Sequence, residues 1–186
     1  MGKTHSQIDD SLAKLLLEQH VFFVATAPLA PEGNLNLSPK GLDSFRILGP
    51  KTVAYLDVIG SGIETIAHLR ENGRIVLMFC RFEGPPNIVR LHGRGRVVEP
   101  HEPEFAVLSA KFLAYETTRA IIVIEVTRIS DSCGFAVPLL RYEGDRKQHF
   151  SWAEKKGLEG LETYKREKNR RSIDGLPGLA EFTLFD

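Results

Sequence analysis

The sequence predicts a mainly β fold, a closed or partly closed antiparallel barrel with helices at its edges. Short runs of β-branched and aromatic residues recur along the chain and outnumber the helical patterns. Turn-forming segments separate most of these runs without regular helices between them, so a parallel βαβ sheet is not expected. We expect one domain over 1–186, in which 133–186 is an extension rich in glycine, proline and charge that packs on the barrel.

The first third of the chain predicts one helix and four strands. Apolar residues recur at helical spacing over 6–19, and Ser6 or Asp9 is the expected cap of this helix. The PLAPEGN and GPK segments are typical of turns between strands. The four strands are expected over 20–26, 35–41, 45–48 and 52–57.

The rest of the chain predicts three more strands and three more helices, the last of which forms a charged tail. A helix after the second strand pair should end at Asn72-Gly73 by a left-handed cap. The run over 74–82 is almost continuously apolar, which predicts a deeply buried strand. In the long strand over 88–99, alternation places a strongly basic set on one face. The later elements are a helix over 101–115, a strand over 119–130 and a helix over 151–169.

Composition limits the classes of partner. The 24 basic and 24 acidic residues give a net charge of zero, which removes the broad positive field that nucleic-acid binding uses. The two cysteines, Cys80 and Cys133, do not have the spacing of metal ligands. We find no secretory signal, and the apolar runs are too short to span a bilayer. We therefore expect a cytoplasmic protein that binds neither nucleic acid nor a membrane, and no metal site.

The turn at GSGIET gives the clearest indication of a binding site. An apolar strand runs into this turn, which leads directly into a helix. Gly60 and Gly62 let the backbone turn sharply and approach a ligand, while Ser61 and Thr65 offer hydroxyls beside unpaired helical N–H groups. The junction therefore predicts a phosphate site. The alternative is that Ser61 only caps the helix, with Glu64 completing a capping box.

The usual catalytic motifs are absent from the sequence. There is no GxSxG elbow, HExxH, paired CxxC or Walker loop, and Thr65 stands where a dinucleotide fingerprint needs its third glycine. His68 and His92 could each act as a base, although a lone histidine is more often structural. A basic and hydroxyl-rich set remains, which would form a phosphate pocket if neighbouring strands bring it together. Its members are Ser38, Lys40, Ser61, Thr65 and Arg90.

These segments resemble the pyridoxamine 5'-phosphate oxidase-like flavin proteins, which bind FMN on a split β-barrel. The resemblance covers most of 21–99. It rests on the order of a strand, NLSPKG, a strand pair, GSGIETIAHLRENGRIVLMF and IVRLHGRGRVVE. The CGFAVP and WAEKKG segments are similar to those of one subgroup of the same family, which extends the resemblance nearly to the C-terminus.

The resemblance implies a homodimer with FMN in a groove at the subunit interface, so the extension over 133–186 could pack on this dimer instead of on the barrel. Lys40 matches the lysine that ends the first flavin-contacting strand, and Ser61 matches the serine of the phosphate-binding turn. Backbone groups of 36–38 and 55–57 would hydrogen-bond the polar edge of the flavin, and Asp57 or Arg90 could tune its potential. The cofactor-binding residues so implied are Asn36, Leu37, Ser38, Lys40, Tyr55, Asp57, Ser61, Gly62, Ile63, Thr65 and Arg90.

The sequence departs from that of the true oxidases in two places at this site. Gly62-Ile63 stands where they carry an Arg-Lys pair, and Leu35 stands where they place a first-strand arginine. A phosphate held by fewer charges should bind less tightly. Their C-terminal substrate-binding segment is also missing, so pyridoxamine phosphate is not expected as the substrate.

The sequence thus predicts an FMN-binding oxidoreductase that passes a hydride or electrons between the flavin and a small organic substrate. Cys133, Phe135 and Trp152 of the other subunit are expected to face this substrate, and Phe135 or Trp152 could stack on an aromatic ligand. No catalytic residue is assigned. The alternative is a flavin or haem sensor without turnover, for which His92 is the candidate axial ligand, and a deazaflavin could replace FMN.

Overall fold

The computed structural model describes residues 2–182 and contains an eight-stranded antiparallel sheet with few helices. The strands are β1 (Thr4–His5), β2 (Phe22–Thr26), β3 (Asn36–Lys40), β4 (Phe45–Gly49), β5 (Thr52–Val58), β6 (Arg74–Cys80), β7 (Ile88–Val98) and β8 (Thr118–Ser132). The helices are α1 (Asp10–Leu17), α2 (Glu64–Asn72), α3 (Phe105–Ser109) and α4 (Gln148–Lys168), followed by a 3-10 turn over Ala180–Phe182. The predicted mainly β class is confirmed.

The sheet is open and not closed into a full barrel. Its strand order is β3-β2-β6-β7-β8-β5-β4, and β1 pairs with β8 beside this path. Every pairing is antiparallel, and the long central pair β7–β8 contains a bulge between His92 and Gly93. Because β3 and β4 lie at opposite ends of this order, side chains and loops have to bridge the gap between them.

The main core lies on one face of the sheet. Leu16 from α1 and Ile66 from α2 pack there against inward-facing residues such as Leu77 of β6 and Ile122 of β8. Fully burying side chains of this size stabilises the fold by about 2 kcal/mol each.

A second, smaller cluster covers the other face of β5 and β8. Leu56 and Ile121 pack there with Leu108 of α3. Because both faces of β8 are covered over this stretch, the sequence from 120 to 124 is apolar without alternation.

Three helices differ from their predicted extents. α1 begins only at Asp10, because Asp9, one of the two predicted caps, is the N-cap and its carboxylate accepts the Leu12 N–H (2.8 Å). The helix predicted over 101–115 is limited to α3 in the structure. Tight turns follow Ser109 and bring Phe112 into the second cluster. α4 begins before Ser151 and is broken at Gly157, whose φ of 64° lies outside the helical range.

The C-terminal extension packs against the turn between β5 and α2. Ala153 and Leu161 of α4 bury Ile59, and the Asn169 side chain donates to the Gly60 carbonyl (2.8 Å). Further along, the Ala180 N–H donates to the buried carboxylate of Glu99 (2.9 Å). Residues 183–186 of the predicted extension lie outside the described residues. Within 2–182 we find no helix that is both long enough and apolar enough to cross a membrane.

We predict that Gly93→Ala destabilises the protein by about 2 kcal/mol, because a Cβ at this bulge would overlap the carbonyl oxygen of Glu125 and press on Ile124. Urea unfolding at neutral pH measures this loss. Gly49→Ala is the matched control, since Gly49 also lies in a strand but a Cβ there meets no atom within 4 Å. Equal unfolding midpoints for the two variants would contradict the tight packing of β7 on β8.

Candidate functional site

A cleft of about 360 Å³ opens where β3, β5 and the start of α2 meet. It brings together six of the predicted cofactor-binding residues, namely Asn36, Ser38, Lys40, Ser61, Gly62 and Thr65. Strand alternation explains the first three, because every second side chain of β3 points to the same face. β3 is also an edge strand, so one row of its backbone groups has no partner strand within 2–182.

The floor of the cleft is built on a buried carboxylate. Asp57 is fully buried at the end of β5, and its two oxygens accept from Lys40 Nζ (2.7 Å) and Arg119 Nε (2.8 Å). Burial by itself would raise the pKa of Asp57, but the positive charges of Arg119 and Lys40 outweigh it and lower the pKa to about 2. Asp57 is therefore ionised at neutral pH. Since one carboxylate faces two cations, the trio presents a net positive charge to the cleft.

Hydrogen bonds fix the polar side chains of β3. The Asn36 amide donates to the hydroxyls of Thr65 (2.9 Å) and Thr26 (3.1 Å). The Ser38 hydroxyl donates to the side-chain oxygen Oδ1 of Asn36 (3.0 Å). The lone pairs of the Ser38 hydroxyl oxygen therefore remain available to a ligand. Behind them, His68 Nδ1 lies 2.9 Å from the Thr26 hydroxyl. Burial lowers the pKa of His68, so the imidazole is neutral at pH 7 and acts as a support for this network.

The turn over 59–63 exposes the backbone that could bind an anion. The Gly60 carbonyl accepts from Asn169 and, at 3.3 Å, from Arg119, while Ser61 and Gly62 face solvent. Ile63 is the N-cap of α2 and offers no side-chain cap, so the first N–H groups of the helix are free of intrahelical partners. The alternative in which Ser61 and Glu64 form a capping box is wrong, because Glu64 instead accepts from the Ile173 N–H (3.2 Å).

The comparisons with known proteins agree on one family. Residues 8–133, more than half of the chain, match the family model described as Pyridoxamine 5'-phosphate oxidase. The chain is also 40% identical over 192 residues to the pyridoxamine 5'-phosphate oxidase family protein ustO of Aspergillus flavus, covering 94% of this chain and 77% of that protein. The chain belongs to the pyridoxamine 5'-phosphate oxidase family. The resemblance predicted from the sequence is thereby confirmed.

Solved structures agree with this family at the level of the fold. HupZ from Group A Streptococcus has a TM-score of 0.51 at 23% identity, covering 66% of this chain and 91% of that one. A candidate pyridoxamine 5'-phosphate oxidase from Lactobacillus delbrueckii has a TM-score of 0.52 at 17% identity, covering 68% of this chain and 98% of that one. Identities this low show the fold alone, and they confirm the predicted split barrel.

Four residues that the family resemblance implies as flavin contacts lie away from the cleft surface. Leu37 points to the opposite face of β3 and is 66% exposed. Tyr55 is buried in the core, and its strand is paired on both edges, with β4 and with β8. Burial raises the pKa of Tyr55 well above its usual value, and the charge of Asp57 adds to this effect. The Ile63 side chain is also buried in the core.

Arg90 also lies away from the cleft, because it faces the other side of the sheet. Its neighbours Val89 and Leu91 point into the main core, and Arg90 itself donates to the Ser132 hydroxyl (3.1 Å). The structure therefore does not bring Arg90 to Lys40 and Ser61.

The three predicted substrate-facing residues do not line the cleft of this chain. Cys133 is an exposed free thiol, and Phe135 is 82% exposed. Trp152 is half-buried behind the turn, where it stacks on His149 and meets the edge of Tyr164. These positions leave Cys133 and Phe135 available to another molecule.

Sequence reasoning missed Arg119 and Asn169. Arg119 lies near the start of β8, directly before a run that is apolar at every position from 120 to 124, and a charge in such a buried strand needs a buried partner. That pattern could have identified Arg119. No local pattern marks Asn169, because its contact with Gly60 joins residues 109 positions apart.

We predict that Asp57→Asn lowers the stability at pH 7 by about 3 kcal/mol, because it leaves Lys40 and Arg119 without their shared carboxylate. The folded-state pKa of Asp57, about 2, lies below its ordinary value of 3.8. The contribution of the carboxylate is therefore complete above about pH 4 and is lost as the pH falls towards 2.

Urea unfolding of the wild type and of Asp57→Asn across this pH range checks the prediction. The difference between them should shrink on acidification. Asp43→Asn is the control, because Asp43 forms an exposed pair with Arg46 that is worth less than about 1 kcal/mol. A difference that stays constant with pH would refute the assignment of Asp57 as the buried anion.

Proposed function

We propose that this chain is an FMN-dependent oxidoreductase acting on a small organic substrate, with residues 1–186 forming one FMN-binding domain. The observation that carries the proposal is the cleft, where two cations, free helical N–H groups and hydroxyls converge beside an edge strand. When bound, FMN would supply the redox chemistry, and the protein would supply binding, orientation and electrostatics.

The residues present fit a phosphate group. Lys40 and Arg119 together exceed the charge of Asp57, and helix N-termini favour anions. Ser38 and Ser61 add hydroxyls on two sides of the cleft. This arrangement supports phosphate binding without the Arg-Lys pair of the true oxidases, because Arg119 of β8 reaches the site from another part of the chain.

The residues also fit the polar edge of a flavin ring. The free edge of β3 carries backbone groups of 36–38, which could pair with the ring as a neighbouring strand would. The cleft, about 360 Å³, is at the lower end of the range of about 300–1,000 Å³ for small-molecule sites. Much of the ring would therefore extend beyond the cleft, where a second subunit could cover it.

A second copy of the chain is the partner that we propose for the outer face of β2, β3 and β6. Leu35 and Leu37 are largely exposed there, beside the half-buried Phe23, Val76 and Met78. A contiguous apolar patch of this kind is typical of an interaction surface. In such a homodimer, Cys133, Phe135 and Trp152 of one subunit would face the substrate at the flavin of the other.

We place the protein in the cytoplasm. Cys80 and Cys133 are both free thiols within the described residues. Free cysteines are typical of a reducing compartment.

We predict that Ser61→Glu weakens FMN binding by about tenfold or more, because a carboxylate in the turn repels the phosphate. Fluorescence titration of the cofactor-free protein measures the affinity. Ser109→Glu is the matched control, since Ser109 is a partly exposed serine at the end of α3 and lies outside the cleft. Riboflavin, which lacks the phosphate, should bind equally to both variants.

The same titration distinguishes the candidate cofactors. Tighter binding of FAD, of a deazaflavin or of haem than of FMN would contradict the cofactor assignment. Turnover assays would use NADH, NADPH or dithionite as the electron donor and small aromatic molecules or quinones as the acceptor. If FMN binds but none of these assays shows turnover, a flavin-binding protein without turnover is the better description.

We predict that Leu37→Glu converts the dimer to monomers, because it places a charge at the centre of the apolar outer face. Light scattering coupled to size-exclusion chromatography measures the molar mass. Leu158→Glu is the control, since Leu158 is similarly exposed (69%) but lies on α4. A wild-type protein that elutes as a monomer near 20.8 kDa would overturn the proposed homodimer.

A further inference from the structure

A cavity larger than the cleft lies on another part of the barrel. It has a volume of about 540 Å³ and is enclosed by the end of α1, the segment entering β2, the end of β6 and residues 140–142. None of its lining residues lines the cleft, and one of them, Phe23, also belongs to the outer face proposed for the homodimer. We propose that this cavity is a second small-molecule site, which takes a planar aromatic molecule with one anionic group. The inference goes beyond the proposed function, because it requires no bound flavin.

The walls of the cavity are mainly aromatic and aliphatic. Phe23 and Phe82 face it from β2 and from the end of β6, together with Val21. On the outer side, His20 and Tyr142 stack with ring centroids 3.6 Å apart and planes 8° from parallel. Flat walls of this kind favour a planar ring, which can stack against or meet the edges of the aromatic groups. The volume lies within the usual range of about 300–1,000 Å³ for sites of small organic ligands.

The cavity lining holds two carboxylates and two guanidinium groups, so its preference for a charged substituent depends on which of these groups already has a partner. Glu18 and Arg81 neutralise each other through an ion pair of 3.0 Å. One oxygen of Glu83 accepts the Tyr142 N–H (2.9 Å). Arg141 makes no ion pair or side-chain hydrogen bond with any other residue of the described 2–182 region. Its guanidinium is therefore the cation available to a ligand, and its planar fork matches a carboxylate.

The outer wall is attached weakly enough to admit a ligand. Residues 133–147 contain no helix or strand. The wall is held by the Leu140 N–H, which donates to the Phe82 carbonyl (3.1 Å), by the bond from Tyr142 to Glu83, and by the ring stack. Few contacts and exposed hydrogen bonds are typical of segments that open locally. Leu140 lines the cavity and its neighbour Leu139 does not. The same substitution at these two positions therefore gives a test variant and its matched control.

The first experiment titrates the full chain with 2-naphthoate by isothermal calorimetry, with and without FMN. We expect one site per chain, with a dissociation constant below about 1 mM. Leu140→Trp should fill the cavity and weaken binding by about tenfold or more, whereas Leu139→Trp should change it by less than about twofold. Circular dichroism and thermal unfolding verify that both variants are folded. The absence of saturable binding, or equal losses in the two variants, would overturn the proposal.

The second experiment tests the charge preference by removing the charge of one lining residue while the apolar and aromatic walls stay unchanged. Arg141→Gln should weaken 2-naphthoate by about tenfold and leave the neutral 2-naphthylmethanol unchanged, whereas Arg146→Gln, a substitution outside the cavity, should affect neither. Tighter binding of 2-naphthylmethylammonium than of 2-naphthoate would refute the anionic preference.

The two proposals can fail separately. Ser61→Glu should weaken FMN without changing the affinity for 2-naphthoate, and Leu140→Trp should weaken 2-naphthoate without changing the affinity for FMN. Loss of both ligands in either variant would refute the assignment of two independent sites.

Discussion

The ion-paired trio of Lys40, Asp57 and Arg119 is the interaction on which the site depends. The strand order places β3 at one end of the sheet and β5 and β8 towards the other, and no backbone ladder joins β3 to β5. The bond of 2.7 Å from Lys40 to Asp57 bridges this gap. Side chains thus connect the two sides of the open barrel, and the cleft lies at this connection. A buried carboxylate is tolerated there because two cations and their hydrogen bonds offset its lost hydration.

The rest of the chain holds the cleft in place from behind. The Thr26–His68 contact fixes Asn36, and Asn36 in turn fixes Ser38 on the edge strand. On the other side, the C-terminal extension contacts the turn between β5 and α2. The Asn169 side chain donates a hydrogen bond to the Gly60 carbonyl, and α4 buries Ile59. A site supported on both sides is preorganised, so little ordering should be needed when an anion binds.

Most of the fold could be predicted from local patterns. Alternation and β-branched residues indicated seven strands in their correct order, and Asn72-Gly73 was correctly identified as the end of α2, where Gly73 has a φ of 69°. β1 was missed because two residues carry too little pattern. The helix over 101–115 was overestimated because its apolar residues serve the second core cluster through turns, and helical spacing alone does not distinguish the two cases.

The sequence by itself determined the fold class and the family, and it indicated the turn over 59–63 as the proposed phosphate site, because periodicity and glycine-serine chemistry are local properties of neighbouring residues. Only the tertiary structure decided which residues share the cleft. It added Arg119 and Asn169, placed Arg90 on the opposite face of the sheet, and brought residues 140–142 against the end of β6. The physical reason is that these arrangements arise from contacts between segments tens of residues apart. Such contacts depend on strand order and register, which no short stretch of sequence encodes.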